Sequence, residues 1–126
     1  MIALGTALKS SEPPFHRCLV ISDPAANGGN VVLVRLTTDD GNWPDRDCIL
    51  TPSDWSELEH NSTVAFSTCK FGPAVRPLEA AIERGLFKRI SSPPPVVLRK
   101  IITAAHSSSG MPPGAKKLLA SQIMYG

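Results

Sequence analysis

The sequence predicts a mainly β, α+β fold: a small β-barrel followed by helices at the C-terminal end. Three observations predict it. Short apolar runs separated by turn residues fill positions 16–67, helical spacing begins only after residue 75, and twelve of the 126 residues are proline. So much proline favours turns and short elements, and it excludes a long coiled coil or a helical array. The length suits one domain with one core. Hydrophobic residues at 42% and charged residues at 19% argue against wholesale disorder.

A first strand is expected within Ile2 to Leu8. His16 to Ser22 is an apolar run too short for a helix, closed by the turn pair Asp23-Pro24, and reads as a buried strand. Asn27-Gly28-Gly29-Asn30 tolerates positive φ between two apolar runs and reads as a hairpin loop. Val31 to Thr38 is the clearest strand, rich in β-branched residues. Alternation puts Val32, Val34, Leu36 and Thr38 on one face, and Val31, Leu33, Arg35 and Thr37 on the other. Asp39 to Arg46 is a polar loop, and Asp47 to Thr51 a short strand. Ser53 to Glu59 reads as one capped helical turn with Ser53 at the N-cap. Ser62 to Ser67 alternates again, with Val64 and Phe66 on one side.

A helix is predicted over about 77–84, with Pro77 in its first turn, Gly85 past its end and Leu78, Ala81 and Ile82 on one face. Leu86 to Ile90 is expected to close the sheet. Three prolines then lead into a helix from Val96 to His106, its stripe made by Val97, Ile101 and Ala104 or Ala105. Ser107 to Gly114 is a linker, and Ala115 to Met124 a last short helix. Five or so short strands in about 90 residues bury a core by curling into a small barrel. Residues 1–90 are therefore expected to form the barrel. Residues 91–126 form a helical extension that is not an independent domain; it either caps the barrel or mediates an oligomer.

The net charge of +2 hides a split. Residues 1–75 carry five basic and nine acidic side chains, a net −4, whereas residues 76–126 carry eight basic and two acidic, a net +6. Such a tail either meets a polyanion or docks on its own acidic body. Cys18, Cys48 and Cys69 have no CxxC spacing, and their odd number points to reduced, buried thiols in a cytoplasm. No apolar run reaches the roughly 18 residues of a membrane span, and Met1 to Leu8 does not read as a signal peptide. Glycine-rich phosphate loops, HExxH and GxSxG are absent, and His16, His60 and His106 show no ligand spacing, so neither metal nor cofactor is expected.

One order of segments is more specific. HRCLVISDP, a Gly/Asn loop, VVLVRLTT, a polar loop, DCIL, a short acidic stretch and STVAF follow one another, and RPLEAAIERGLF and VVLRKIITAA come later. This arrangement, over roughly residues 14–105, resembles the PemK/MazF family of plasmid-maintenance toxins, in particular a phage- or plasmid-associated PemK-like branch. The resemblance implies an SH3-like small barrel that pairs as a homodimer. It also implies metal-independent cleavage of single-stranded RNA and neutralisation by an antitoxin protein.

In such cleavage the ribose 2′-hydroxyl attacks the adjacent phosphorus. The site needs a base, an acid and donors for the added negative charge. Thr37 and Thr38 match the family's Thr/Ser at the strand end; the family's Arg just before the first matched strand falls in a region held here by His16 and Arg17, with Arg17 the stand-in for that first cation. The Arg and Asp that the family often has on the later strand have no match in Thr63 to Ser67. Lys70 or Arg35 are the cations left to compensate.

Each candidate also has a plainer role. His16, with an ordinary pKa of ~6.5, suits proton transfer, or it bonds a backbone group at a strand start. Arg17 holds phosphate, or pairs with one of the acids. Arg35 serves a groove, or a structural ion pair. Thr37, Thr38 and Asp39 line a site, or cap a strand end. Trp43 stacks on a base, whereas Trp55 packs on the barrel. Lys88-Arg89 and Arg99-Lys100 track phosphates, or are ordinary solvated faces. The candidate catalytic set is thus Arg17, Thr38 and His16, and the candidate substrate-binding set is Thr37, Asp39, Arg35, Trp43 and Lys70. The alternative function is a non-catalytic interaction module on the same fold, binding protein or nucleic acid.

Overall fold

Nine elements make up the computed structural model, which describes residues 1–13 and 16–123. In chain order they are β1 (Ala7–Ser10), β2 (Arg17–Val20), β3 (Val31–Thr38), β4 (Ile49–Leu50), β5 (Ser62–Gly72), α1 (Val75–Glu83), β6 (Phe87–Ile90), α2 (Pro95–Ser107) and α3 (Pro113–Ile123). Pro14 and Phe15, within the span of the family resemblance, and Met124, at the end of the expected last helix, lie outside the described residues.

The strands form one antiparallel sheet in the order β4-β5-β3-β2-β1-β6. The hairpin between β2 and β3 turns at Gly28 and Gly29, whose φ values of 71° and 86° are ones that side chains disfavour. Val32, Val34 and Leu36 of β3, with Val64 and Phe66 of β5, enter the main core as the alternation predicts. The opposite face buries Val31, Leu8 and Val20 under Leu78 of α1. The sheet is therefore covered on both sides. α1 lies over one face, while α2 and α3 bring Val97, Ile101, Ala105 and Leu119 to the core on the other.

The expected small barrel is met in part: the antiparallel sheet with C-terminal helices forms, but the sheet is not closed. β6 does not close the sheet; it pairs with β1 and forms an edge. Among the described residues no ladder joins it to β4, the other edge. The reason lies in β4, which keeps only two paired residues of the expected Asp47 to Thr51 and offers too short a template. The sheet nevertheless bends around its core, because Leu50 of β4 is buried in the same cluster against which Ile90 of β6 packs. The seam is bridged by side chains. Trp55, 2% exposed, donates its indole N–H to the Ser91 carbonyl at 3.0 Å, and the Ser91 N–H donates to Glu57 at 2.7 Å.

Other boundaries moved for local reasons. β1 starts at Ala7, later than expected, where its partners β2 and β6 lie. β5 runs on to Gly72 past a bulge: Leu33 pairs with Lys70 but Arg35 with Ala65. No helix forms at Ser53. The Thr51 N–H and hydroxyl instead donate to the Asp54 carboxylate, at 2.8 and 3.2 Å, which closes a turn. α1 begins two residues earlier than predicted, and Pro77 sits in its first turn, where no N–H is required. It ends in a Schellman motif: Leu86 N–H donates to Ala81 O, Gly85 N–H donates to Ile82 O, and Gly85 has φ of 78°. Lys100 Nζ donates to Ile49 O at 3.0 Å and Ser108 Oγ to Asp47 at 2.7 Å, so the C-terminal helices dock on the acidic body.

Candidate functional site

Strand register creates the site. Arg17 of β2 lies opposite Leu36 of β3 and opposite Lys9 of β1, and Thr38 lies opposite Ser62 of β5. Laterally paired residues share a face. Arg17 therefore projects from the same face as the core residues Leu19 and Leu36, at the end where that core gives way to solvent. A cleft of about 270 Å³ opens there. It is lined by Arg17, Thr37, Thr38, His16 and Lys9, and by Glu59 and His60 from the turn before β5. That turn is held by buried Leu58 and by the Asp39 N–H, which donates to Asn61 O at 2.8 Å.

Arg17 is the centre of the cleft. Its side chain is only 16% exposed, and its Nε is buried with no hydrogen-bond partner among the described residues. One terminal nitrogen lies 3.5 Å from the carboxylate of Glu59, a side chain 69% exposed. An ion pair with so exposed a partner contributes about 0–1 kcal/mol, so an incoming anion displaces it readily. His16 is tied by its backbone, donating its N–H to Ser10 Oγ at 3.0 Å. Partial burial holds its imidazole below the ordinary 6.5, and the Arg35 guanidinium adds to that shift. His16 is accordingly neutral at pH 7.

A second, larger cleft of about 540 Å³ lies beside the first, and His16 lines both. Arg35 and Lys70 line this one, together with Cys18, Leu33 and Phe87. Arg35 sits 6.0 Å above the Trp43 ring, a cation–π arrangement. The Nε of Arg35 and the indole N–H of Trp43 are both buried without a partner among the described residues.

Of the eight candidates, then, Arg17, Thr38, Thr37 and His16 meet in the first cleft. Arg35 and Lys70 meet His16 in the second. Trp43 lines neither cleft and reaches the second only through Arg35. Asp39 lines neither and is held by two hydrogen bonds from Arg46, both at 3.1 Å, which keep its carboxyl below the usual carboxylate range. The three cysteines are free and buried. Burial pushes the thiols of Cys18 and Cys69 up to about 11 and about 12, so neither serves as a nucleophile near neutrality. Among the described residues no three His, Cys, Asp or Glu side chains are grouped to hold a metal ion, and no helix is long and apolar enough to cross a membrane.

No family model and no curated protein matches the sequence. Solved structures do match the fold. A MazE–MazF structure from Deinococcus radiodurans aligns over 88% of this chain and 97% of its own, with a TM-score of 0.52 and 17% identity. A second crystal form of it gives the same TM-score and identity over 98% of its own length. An endoribonuclease in complex with its cognate antitoxin, from a mycobacterial species, aligns over 88% of this chain and 95% of its own, with a TM-score of 0.53 and 22% identity. The chain has the MazF/PemK-type toxin fold.

Within this MazF-type frame the strand that lacks the expected Arg and Asp has other work. Thr63 Oγ1 donates to Asp45 O at 2.5 Å, and Ser67 donates both its N–H and its hydroxyl to the Asp45 carboxylate. The polar groups of that strand hold the β3–β4 loop. Glu59, His60 and Lys9, which sequence reasoning had not singled out, stand in the first cleft instead. Adjacent acid and imidazole in a Gly- and Pro-free turn before an apolar strand were the available signal for the first two.

Proposed function

We propose that this protein is the toxin of a type II toxin–antitoxin system, a metal-independent endoribonuclease acting on single-stranded RNA. One observation carries the reading: a mostly buried guanidinium with an unpartnered Nε shares a cleft with a strand-end hydroxyl and a neutral imidazole. Arg17 and Thr38 bind the non-bridging phosphate oxygens and stabilise the charge that builds on them during attack. Neutral His16 accepts the proton of the 2′-hydroxyl as its oxygen bonds to phosphorus. The 5′-oxygen leaves with a proton from His60, the other imidazole of the cleft. The products are a 2′,3′-cyclic phosphate and a free 5′-hydroxyl. Thr37 supports the phosphate, and Arg35, Lys70, Trp43 and Asp39 belong to the surrounding RNA surface.

The same reading includes a homodimer, an antitoxin partner and a cytoplasmic location. The fold shared with two toxin–antitoxin assemblies supports the antitoxin partner. Residues 91–126 belong to the folding unit of residues 1–90. The second reading, a binding module that does not cut, is favoured by the missing Arg and Asp on β5 and by the Glu59 carboxylate already paired with Arg17. A long single-stranded RNA incubated with purified protein separates the two. Cleavage is expected from the wild type, with a loss of at least a hundredfold in Arg17→Ala. A folded wild type that binds the RNA and leaves it intact establishes the second reading and overturns the first.

A further inference from the structure

The face that carries the first cleft changes character within one step along the strands. Ile90 of β6, Ala7 of β1 and Leu19 of β2 form one lateral row, and all three pack in or against the main core. Two residues along on the same face, the next row is Lys88, Lys9 and Arg17. Three cations thus stand side by side on three neighbouring strands. Strand spacing near 4.8 Å puts the outer two about 10 Å apart. Like charges directly opposite one another on a sheet repel. The row is graded from mostly buried Arg17 through half-buried Lys9 to exposed Lys88. Its inner end lies in the first cleft. Its outer end lines a further recess of about 300 Å³, shared by Lys9, Lys88, Ser10 and Ser11. Lys9 lines both.

We infer that this row is a track for the backbone of single-stranded RNA, with the phosphate at Arg17 followed outward by phosphates at Lys9 and Lys88. The inference rests on the choice of RNA as ligand in the preceding section, and not on cleavage. A line of cations leading away from a buried phosphate site matches a polymer with one charge per nucleotide, whereas a single small anion would use only the inner end. Each phosphate neutralised on a single strand releases bound counterions, so each cation in the track adds about 0.7 to the slope of log K against log salt.

The test uses an uncleavable probe, a single-stranded oligonucleotide of nine 2′-O-methyl nucleotides, titrated into the full-length protein at several salt concentrations. Lys9→Gln and Lys88→Gln are each expected to flatten the slope by about 0.7, and the double variant by about 1.4. Arg84→Gln, an exposed cation at the end of α1 beneath the other face, is the control and is expected to leave the slope as it is. Unchanged slopes in both lysine variants, or an equal fall in Arg84→Gln, overturn the track. So does tighter capture of hexaglutamate than of the oligonucleotide, which would assign the row to an acidic protein instead. Because the probe cannot be cut, flattened slopes in a protein that leaves natural RNA intact uphold the track and refute cleavage. Cleavage with unchanged slopes does the reverse.

Discussion

His16 is the residue on which the proposed chemistry turns. Its pKa is depressed first by burial and then by Arg35, so the imidazolium is disfavoured in the folded state. The unfolded chain then binds the proton more readily. His16 therefore costs nothing above pH 6.5 and lowers stability as pH falls from there toward its folded pKa. The rising limb of the RNA-cleavage rate against pH, which reports the proposed base His16, should have its midpoint below 6.5. Arg35→Gln removes one of the two causes and should move the His16 midpoint upward, read by NMR titration of the ring protons; a midpoint at or above 6.5 in the wild type contradicts this. Glu59 gives a second expectation at the same scale. Glu59→Gln frees Arg17 of its anion and should tighten inorganic phosphate binding several-fold, while stability changes by no more than about 0.5 kcal/mol, since the pair is exposed on one side. Calorimetric titration measures the first quantity and thermal unfolding the second. Arg17, Thr38 and His16 were legible in the sequence through the order of the surrounding segments. Glu59 and His60 were not, because nothing local to a turn says which strand end it will cover.

At the level of elements, the β3–β4 loop is held to β5 by polar bonds. The Asp45 carboxylate takes two hydrogen bonds from Ser67 in the β5 bulge, and the Asp45 carbonyl takes one from Thr63. Asp45 is 7% exposed, and Gly110 of the α2–α3 connection packs against it so closely that a Cβ would collide with its carboxylate. Asp45→Ala leaves the Ser67 donors without that acceptor and should cost about 1–3 kcal/mol in chemical denaturation. It should also loosen Trp43, and with it the support under Arg35. A denaturation midpoint equal to that of the wild type would show that the loop is held elsewhere. β3 could be read from sequence because its alternation is unbroken and both its neighbours obey it. The full length of β5 could not, because the bulge at residues 66–69 breaks the period of two that identifies a strand. The turn at Thr51 to Asp54 carries its signal openly, as a hydroxyl and a carboxylate three residues apart, whereas Ser53, which has the residue type of an N-cap, starts no helix.

For the molecule as a whole, the C-terminal helices pack on the body while Lys88 of the same basic half stays exposed. The basic C-terminal helices lie on the acidic body through Lys100 and Ser108, and through the buried stripe Val97, Ile101 and Ala105. That stripe was visible as apolar residues at helical spacing. What it packs against was not, since pairing between distant elements leaves no local mark. Removing residues 91–126 strips those residues and Leu119 from the main core and deletes the acceptor of the Trp55 indole. The truncated chain should not fold cooperatively; a sharp unfolding transition near that of the full chain would make the tail an accessory. The bent sheet with two bridged edges brings β2, the end of β3 and the turn before β5 around one cleft, and the proposed RNA cleavage depends on that convergence. The most direct test is mass spectrometry of the ends of a single-stranded RNA after incubation with the protein in excess chelator. Fragments ending in 2′,3′-cyclic phosphate and beginning with 5′-hydroxyl, absent with Arg17→Ala, are expected. Intact RNA from folded wild-type protein, or fragments formed only when a divalent metal is restored, would contradict a metal-free cleft built on Arg17.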